Sequence, residues 1–129
     1  MRGINEKTCF LFVIPSFYTF AIRHQMQLMK KVKICAVRKV RHDDLMAKYE
    51  NPIEHSCDVV EGQTWISVDG QCPPGLCPEA WKTMSEFVQA LARGEGNFYD
   101  GWMKNPYSAM ISCNDGFRPV SFYIETLEE

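Results

Sequence analysis

Apolar and polar positions alternate through residues 32–40 (VKICAVRKV), placing Val32, Ile34 and Ala36 on one face of a β-branched run and predicting a strand. Residues 42–50 (HDDLMAKYE) follow helical spacing instead, with Asp43 as the expected cap, Leu45, Met46 and Tyr49 turned inward, and Pro52 as the stop. Residues 51–62 read as loop. A second strand over 63–70 (QTWISVDG) sets Thr64, Ile66 and Val68 against Gln63, Trp65 and Ser67, and ends in an Asp69-Gly70 turn. The strongest element is residues 78–93 (PEAWKTMSEFVQALAR). Pro78 suits the first helical position, Glu79 suits the positive end, and Gly94 supplies a stop. Trp81, Met84, Phe87, Val88 and Leu91 recur at three- and four-residue spacing and form one apolar face. Residues 95–108 form a glycine- and aromatic-rich loop. The strand AMISC (109–113), the Asn114-Asp115-Gly116 turn and RPVSFYIETLE complete a hairpin whose Val120, Phe122 and Ile124 face the core. Strand, helix, strand, helix and hairpin in that order predict a small α+β domain. Its sheet would be mostly antiparallel and packed against one long amphipathic helix.

Composition adds limits. Apolar residues make up 46% and charged residues 23% of 129 residues, which is a globular composition and a single-domain length. A formal net charge of −2 gives no footprint for nucleic acid. The cluster Lys30, Lys31, Lys33, Arg38, Lys39 and Arg41 reads as a solvated strand edge. Between Cys9 and Ile22 lies an apolar stretch, CFLFVIPSFYTFAI. As a helix it would reach about 21 Å, short of the roughly 30 Å hydrocarbon core, and Pro15 interrupts it. The residues after it, RHQMQL, offer no small-residue cleavage site, whereas Met29-Lys30-Lys31-Val32 reads as a start leading into a strand. Residues 1–28 are therefore expected to be an upstream extension outside the fold. The domain is expected over 29–129, with no membrane partner and with homo-oligomers or protein partners left open.

Six cysteines without an export signal point to a reducing cytoplasm, where free thiols or metal ligands are expected in preference to disulfides. The opening MKKVKI, the strand ending Val68-Asp69-Gly70, the helix start Gly75-Leu76-Cys77-Pro78 and Cys113 before Asp115-Gly116-Phe117-Arg118-Pro119-Val120 carry a resemblance. Over nearly all of 29–129 the chain resembles a family of small prokaryotic proteins, about ninety residues long and of unassigned function. The resemblance implies recurring cysteines at Cys57, Cys77 and Cys113, with Cys35 and Cys72 as additions. It implies no activity.

Three chemical readings follow. In the leading one, Cys57, Cys77 and Cys113, each at the end of an element, converge with Cys72 or His55 as a fourth ligand. Such thiolates would hold zinc, copper or an iron–sulfur cluster. The spacing matches no ferredoxin or zinc-ribbon pattern, and buried cysteine as a small hydrophobe is the rival explanation. In the second, Cys77 is a reactive thiol at a helix N-terminus, where unpaired N–H groups favour the thiolate. His55 or His42 would be its base and Cys72 its resolving partner, although Pro73-Pro74 stiffens the span between the sulfurs. In the third, Phe98, Tyr99, Trp102 and Tyr107, interspersed with Gly96 and Gly101, line a binding pocket or else fold back to plug the end of the core. His42, Asp43 and Asp44 read as cap and loop residues. No Ser-His-Asp set, phosphate loop or His-Glu-x-x-His signature is present, so catalysis stays open.

Overall fold

The computed structural model of the protein describes residues 29–54 and 57–128. The expected extension 1–28 and the candidate ligand His55 lie outside the described residues. Six elements follow in order: β1 (Val32–Lys39), α1 (Asp43–Tyr49), β2 (Thr64–Ser67), α2 (Pro78–Ala92), β3 (Ser108–Ser112) and β4 (Val120–Thr126). The strands form one sheet in the order β2-β1-β4-β3, and every neighbouring pair is antiparallel. This is the expected α+β architecture. Among the described residues, no helix is long and apolar enough to cross a membrane.

Helix α2 covers one face of the sheet and packs chiefly on β3 and β4. Ala80, Met84, Val88, Leu91 and Ala92 are fully buried. Met84, Val88 and Leu91 each contribute about 1.5–3 kcal/mol through that burial. The helix stops as its sequence predicts. Gly94 takes φ +89°, its N–H donates to the Leu91 carbonyl at 3.0 Å, and the Glu95 N–H donates to Ala90 at 3.0 Å. This is a Schellman cap, which a side chain at Gly94 would strain. Opposite the helix stand Val32, Ile34, Ala36, Ala109, Ile111, Val120, Phe122 and Ile124, all buried. In β2 the inward residues are Trp65 and Ser67, while Ile66 remains 42% exposed on the other face. The Ser67 hydroxyl is satisfied inside by the Gln71 carbonyl at 2.6 Å.

One irregularity redirects β1. Its register against β4 slips between Ala36 and Arg38, so Val37 is an extra residue in a β-bulge. Plain alternation would send Arg38 to the core face. The bulge instead pairs Arg38 with Ser121 and Lys39 with Val120, reversing the two. The Lys39 ammonium then donates to the carbonyls of Cys57 at 2.8 Å and Val59 at 3.0 Å, clamping the loop before β2.

Helix α1 departs from expectation. Asp43 is its first residue, not its cap. The cap is His42, which makes no side-chain capping bond. Leu45 is 38% exposed and Tyr49 65% exposed, and the helix buries no residue. Polar contacts attach it in place of apolar packing. Arg118 donates to both oxygens of Glu50, at 3.0 and 2.8 Å, and the His42 N–H donates to the Phe117 carbonyl at 2.9 Å. Those side-chain bonds to Glu50 push the Arg118 pKa above its ordinary value, against the opposing effect of burial. The hairpin turn behaves as its sequence suggests. Asp115 Oδ1 accepts the N–H groups of Phe117 at 2.8 Å and Arg118 at 3.2 Å, an Asx-type turn.

Candidate functional site

The fold brings the three expected cysteines toward one end of the two layers without making them a ligand set. The Lys30 N–H donates to the Ala92 carbonyl at 2.8 Å, so α2 ends beside the start of β1. Its N-terminus, with Cys77 as N-cap, therefore lies toward the opposite end. There the Cys113 N–H donates to Val120 at 3.0 Å, and Lys39 holds the Cys57 carbonyl. All three side chains are half-buried and pack against the core.

Among the described residues, however, no group of three or more Cys, His, Asp or Glu side chains is placed to hold a metal ion. This overturns the expectation of a zinc, copper or iron–sulfur site at Cys57, Cys77 and Cys113. Cys72 does not complete one, and the proposed alternative ligand His55 lies outside the described residues. Sulfurs sharing one zinc must all converge to about 2.3 Å from a single point, and the described thiols do not gather to that degree. Cys113 Sγ is also engaged locally, accepting the Val120 N–H at 3.4 Å. The Cys77 side chain makes no capping bond, and the Cys72 thiol donates to the Pro73 carbonyl at 3.6 Å. The five described cysteines are free thiols.

Exposure sets an expected order of reactivity. Cys72 is exposed whereas Cys35, Cys57, Cys77 and Cys113 are half-buried, and partial burial pushes the Cys72 thiol above its ordinary value. Timed iodoacetamide labelling read by peptide mass spectrometry should modify Cys72 several-fold faster than the others. Its rate should keep climbing at alkaline pH after an ordinary thiol has levelled off, because a raised pKa leaves less thiolate at neutral pH. Faster labelling of Cys77 would instead favour a nucleophile at the helix start.

The aromatic loop sends one ring into the expected plug and two out to solvent. Gly96 lies where a Cβ would come within 2.5 Å of the Pro106 carbonyl oxygen, and the Asn97 N–H donates to that same oxygen at 2.6 Å. From this anchor Phe98 turns inward, half-buried, and meets Phe87 of α2 edge to face, with centroids 5.0 Å apart and planes at 74°. Tyr99 and Trp102 turn outward, 75% and 42% exposed, and meet each other edge to face at 5.2 Å and 78°. Tyr99 also lies 6.5 Å from Phe87, centroid to centroid. Phe98 is thus a plug, while Tyr99 and Trp102 form a surface on top of it.

That surface is held by unusual backbone. Asn97, Tyr99 and Asp100 have φ of 54°, 54° and 52°, and Gly101 has φ 99°. Asn and Asp visit this left-handed region with little difficulty, but a tyrosine does so only where its surroundings impose it, at a cost of order 1–3 kcal/mol. Local bonds impose it here. Asn97 Oδ1 accepts the Gly101 N–H at 2.9 Å, and the Asp100 N–H donates to the Asn97 carbonyl at 3.1 Å. The periodicity of α2 assigns Phe87 to the core stripe. In the structure it lies on the flank of that stripe and serves as the floor of the aromatic cluster. Its placement about 60° off the Met84 direction at 100° per residue is the signal in the sequence.

No family model matches the chain, and no curated protein or solved structure matches it significantly. Function is therefore read from the geometry of the chain itself.

Proposed function

We propose that the protein is a binding module that engages its partner through Tyr99 and Trp102, with Phe87 and Phe98 as their base. One observation carries this reading. Tyr99, on left-handed backbone, is the most exposed large apolar side chain among the described residues and stands edge to face with Trp102. Rigid, partly exposed aromatic groups with a polar tip are the side chains that most often dominate binding energy. Strain concentrated beneath them supports a constraint other than folding. Cys57, Cys77 and Cys113 then act as small apolar residues at the rim of the core. The free thiols support a reducing compartment such as the cytoplasm.

The test is a two-dimensional NMR screen of mixed fragments and short peptides, followed through the three tryptophan indole N–H signals. Ligands are expected to move Trp102 and leave Trp65 and Trp81 in place. Binding should fall at least tenfold in Tyr99→Ala and Trp102→Ala, with urea midpoints close to the parent's. Binders that map to the cysteine end of the fold, or that survive both substitutions, would sink the proposal.

A further inference from the structure

Helix α1 and the chain after it are attached to the fold by charge rather than by packing. No residue of α1 is buried, and among the described residues no strand or helix packs on it as α2 packs on β3 and β4. Asn51, Pro52, Ile53 and Glu54, which follow, are exposed as well. Backbone bonds hold the chain just before α1, where the Val40 N–H donates to the Pro119 carbonyl at 3.0 Å and the His42 N–H to that of Phe117 at 2.9 Å. Beyond the exposed run, Lys39 pins the carbonyls of Cys57 and Val59. Between these two clamps, the hydrogen bonds that tie residues 43–54 to the rest of the described fold both end on the Glu50 carboxylate.

The other side of that contact is fixed by the hairpin. Arg118 closes the turn built on Asp115 and leads through Pro119 into β4. Its side chain is 10% exposed and that of Glu50 is 18% exposed, so the ion pair lies largely out of water. Arg118 Nε is nevertheless buried without a partner. An unpaired buried donor carries a desolvation cost, which water removes once Glu50 moves away. Opening here breaks two charge-assisted bonds, hydrates both ions and uncovers no fully buried side chain of α1. Unfolding the core exposes Val32, Ile34, Phe122 and Ile124, all fully buried. The first event is the smaller in free energy and in surface.

We propose that residues 43–54 form a strap, latched by Glu50 on Arg118, that opens as a unit while the sheet and α2 stay folded. Opening turns the Arg118 guanidinium from an internal anchor into a solvent-facing cation at the hairpin end. This inference does not rest on the aromatic surface.

Native-state amide exchange of the full chain, followed by NMR from zero to sub-denaturing urea, tests it. The Met46 amide is bonded to the His42 carbonyl at 3.0 Å across the start of α1. After correction for intrinsic rates it should exchange about tenfold or more faster than the amides of β1 and β4. Its rate should stay nearly flat in urea, because little surface is exposed, whereas those of β1 and β4 should climb steeply. Glu50→Gln keeps the side chain's shape and removes its charge. Met46 exchange should then rise about tenfold or more, as should trypsin cleavage after Lys48, the one Lys or Arg between Arg41 and Lys82. Local helix energetics act in the opposite sense, since a carboxylate at a helix C-terminus is unfavourable. Met46 exchange that matches β1 and β4 in rate and urea slope overturns the proposal, and this result decides alone if the variant does not fold. Exchange and cleavage unchanged by Glu50→Gln also overturn it, since the ion pair then does not hold the helix.

Discussion

Phe122→Ala is expected to destabilise the protein by about 3–5 kcal/mol. Phe122 is fully buried at the middle of β4, a central strand bonded on both sides. It pairs with Ala36 of β1 and Ile111 of β3, and its ring lies 6.1 Å from Trp65 at 54°. Its surroundings are poorly suited to closing a cavity. Ala36 is small, Ile111 is fixed in the ladder, and α2 presents Ala80 as well as Met84 and Val88 toward the core. The loss therefore includes both the removed ring and the space it leaves. Small domains are stable by only about 5–15 kcal/mol, so the variant should be close to unfolded at 37 °C. Urea titration followed by circular dichroism gives the answer. A loss below about 1.5 kcal/mol would mean that the core repacks and that Phe122 is not its centre.

Gly96→Ala should have the second largest effect, for a steric reason. The new methyl would fall 2.5 Å from the Pro106 oxygen and 2.9 Å from Tyr107 Cδ1. The tyrosine ring can swing aside, but the carbonyl is backbone and already accepts the Asn97 N–H at 2.6 Å. The two arms of the loop must separate, at a cost of about 1–3 kcal/mol. Separation would also disturb the left-handed turn that presents Tyr99 and Trp102, so the Trp102 indole signal should shift even at full folding. Gly116→Ala is the control. Its added Cβ meets nothing within 4 Å, and stability should be unchanged. If Gly96→Ala folds with parental stability and an unmoved Trp102 signal, the aromatic surface does not depend on that anchor.

These two sites differ in how readily their sequence discloses them. Phe122 sits in a clean alternation with Val120 and Ile124, and its burial follows from the two-residue repeat of a strand. Gly96 is one glycine among several in a loop. Its close contact is with a carbonyl ten positions away, which no local pattern encodes. The aromatic loop is intermediate. Its composition announces a cluster, yet whether each ring plugs the core or faces solvent depends on where α2 places Phe87.

The cysteines show the same division more sharply. Their positions at element ends are visible in the sequence, as is the N-cap role of Cys77. Proximity at one end of a fold is still not coordination, which requires every sulfur to converge on one point, and no such group forms among the described residues. Helix α1 shows it again. Its spacing resembles an amphipathic helix, but Glu50 and Arg118, 68 residues apart, anchor it through charge while Leu45 and Tyr49 stay exposed.

By itself the sequence determined the α+β class, the inward set of β1 and β4, the hairpin turn at Asn114-Asp115-Gly116 and the span of α2 to its glycine cap. Each of these depends on side-chain period or on backbone preference within a few residues. Tertiary structure alone decided the bulge that sends Lys39 to the core face, the Arg118–Glu50 attachment, the absence of a metal-holding group among the described thiols and the edge position of β3. Each of those is set by register and packing between segments distant in the chain, where the free energy belongs to the pair and to neither segment alone.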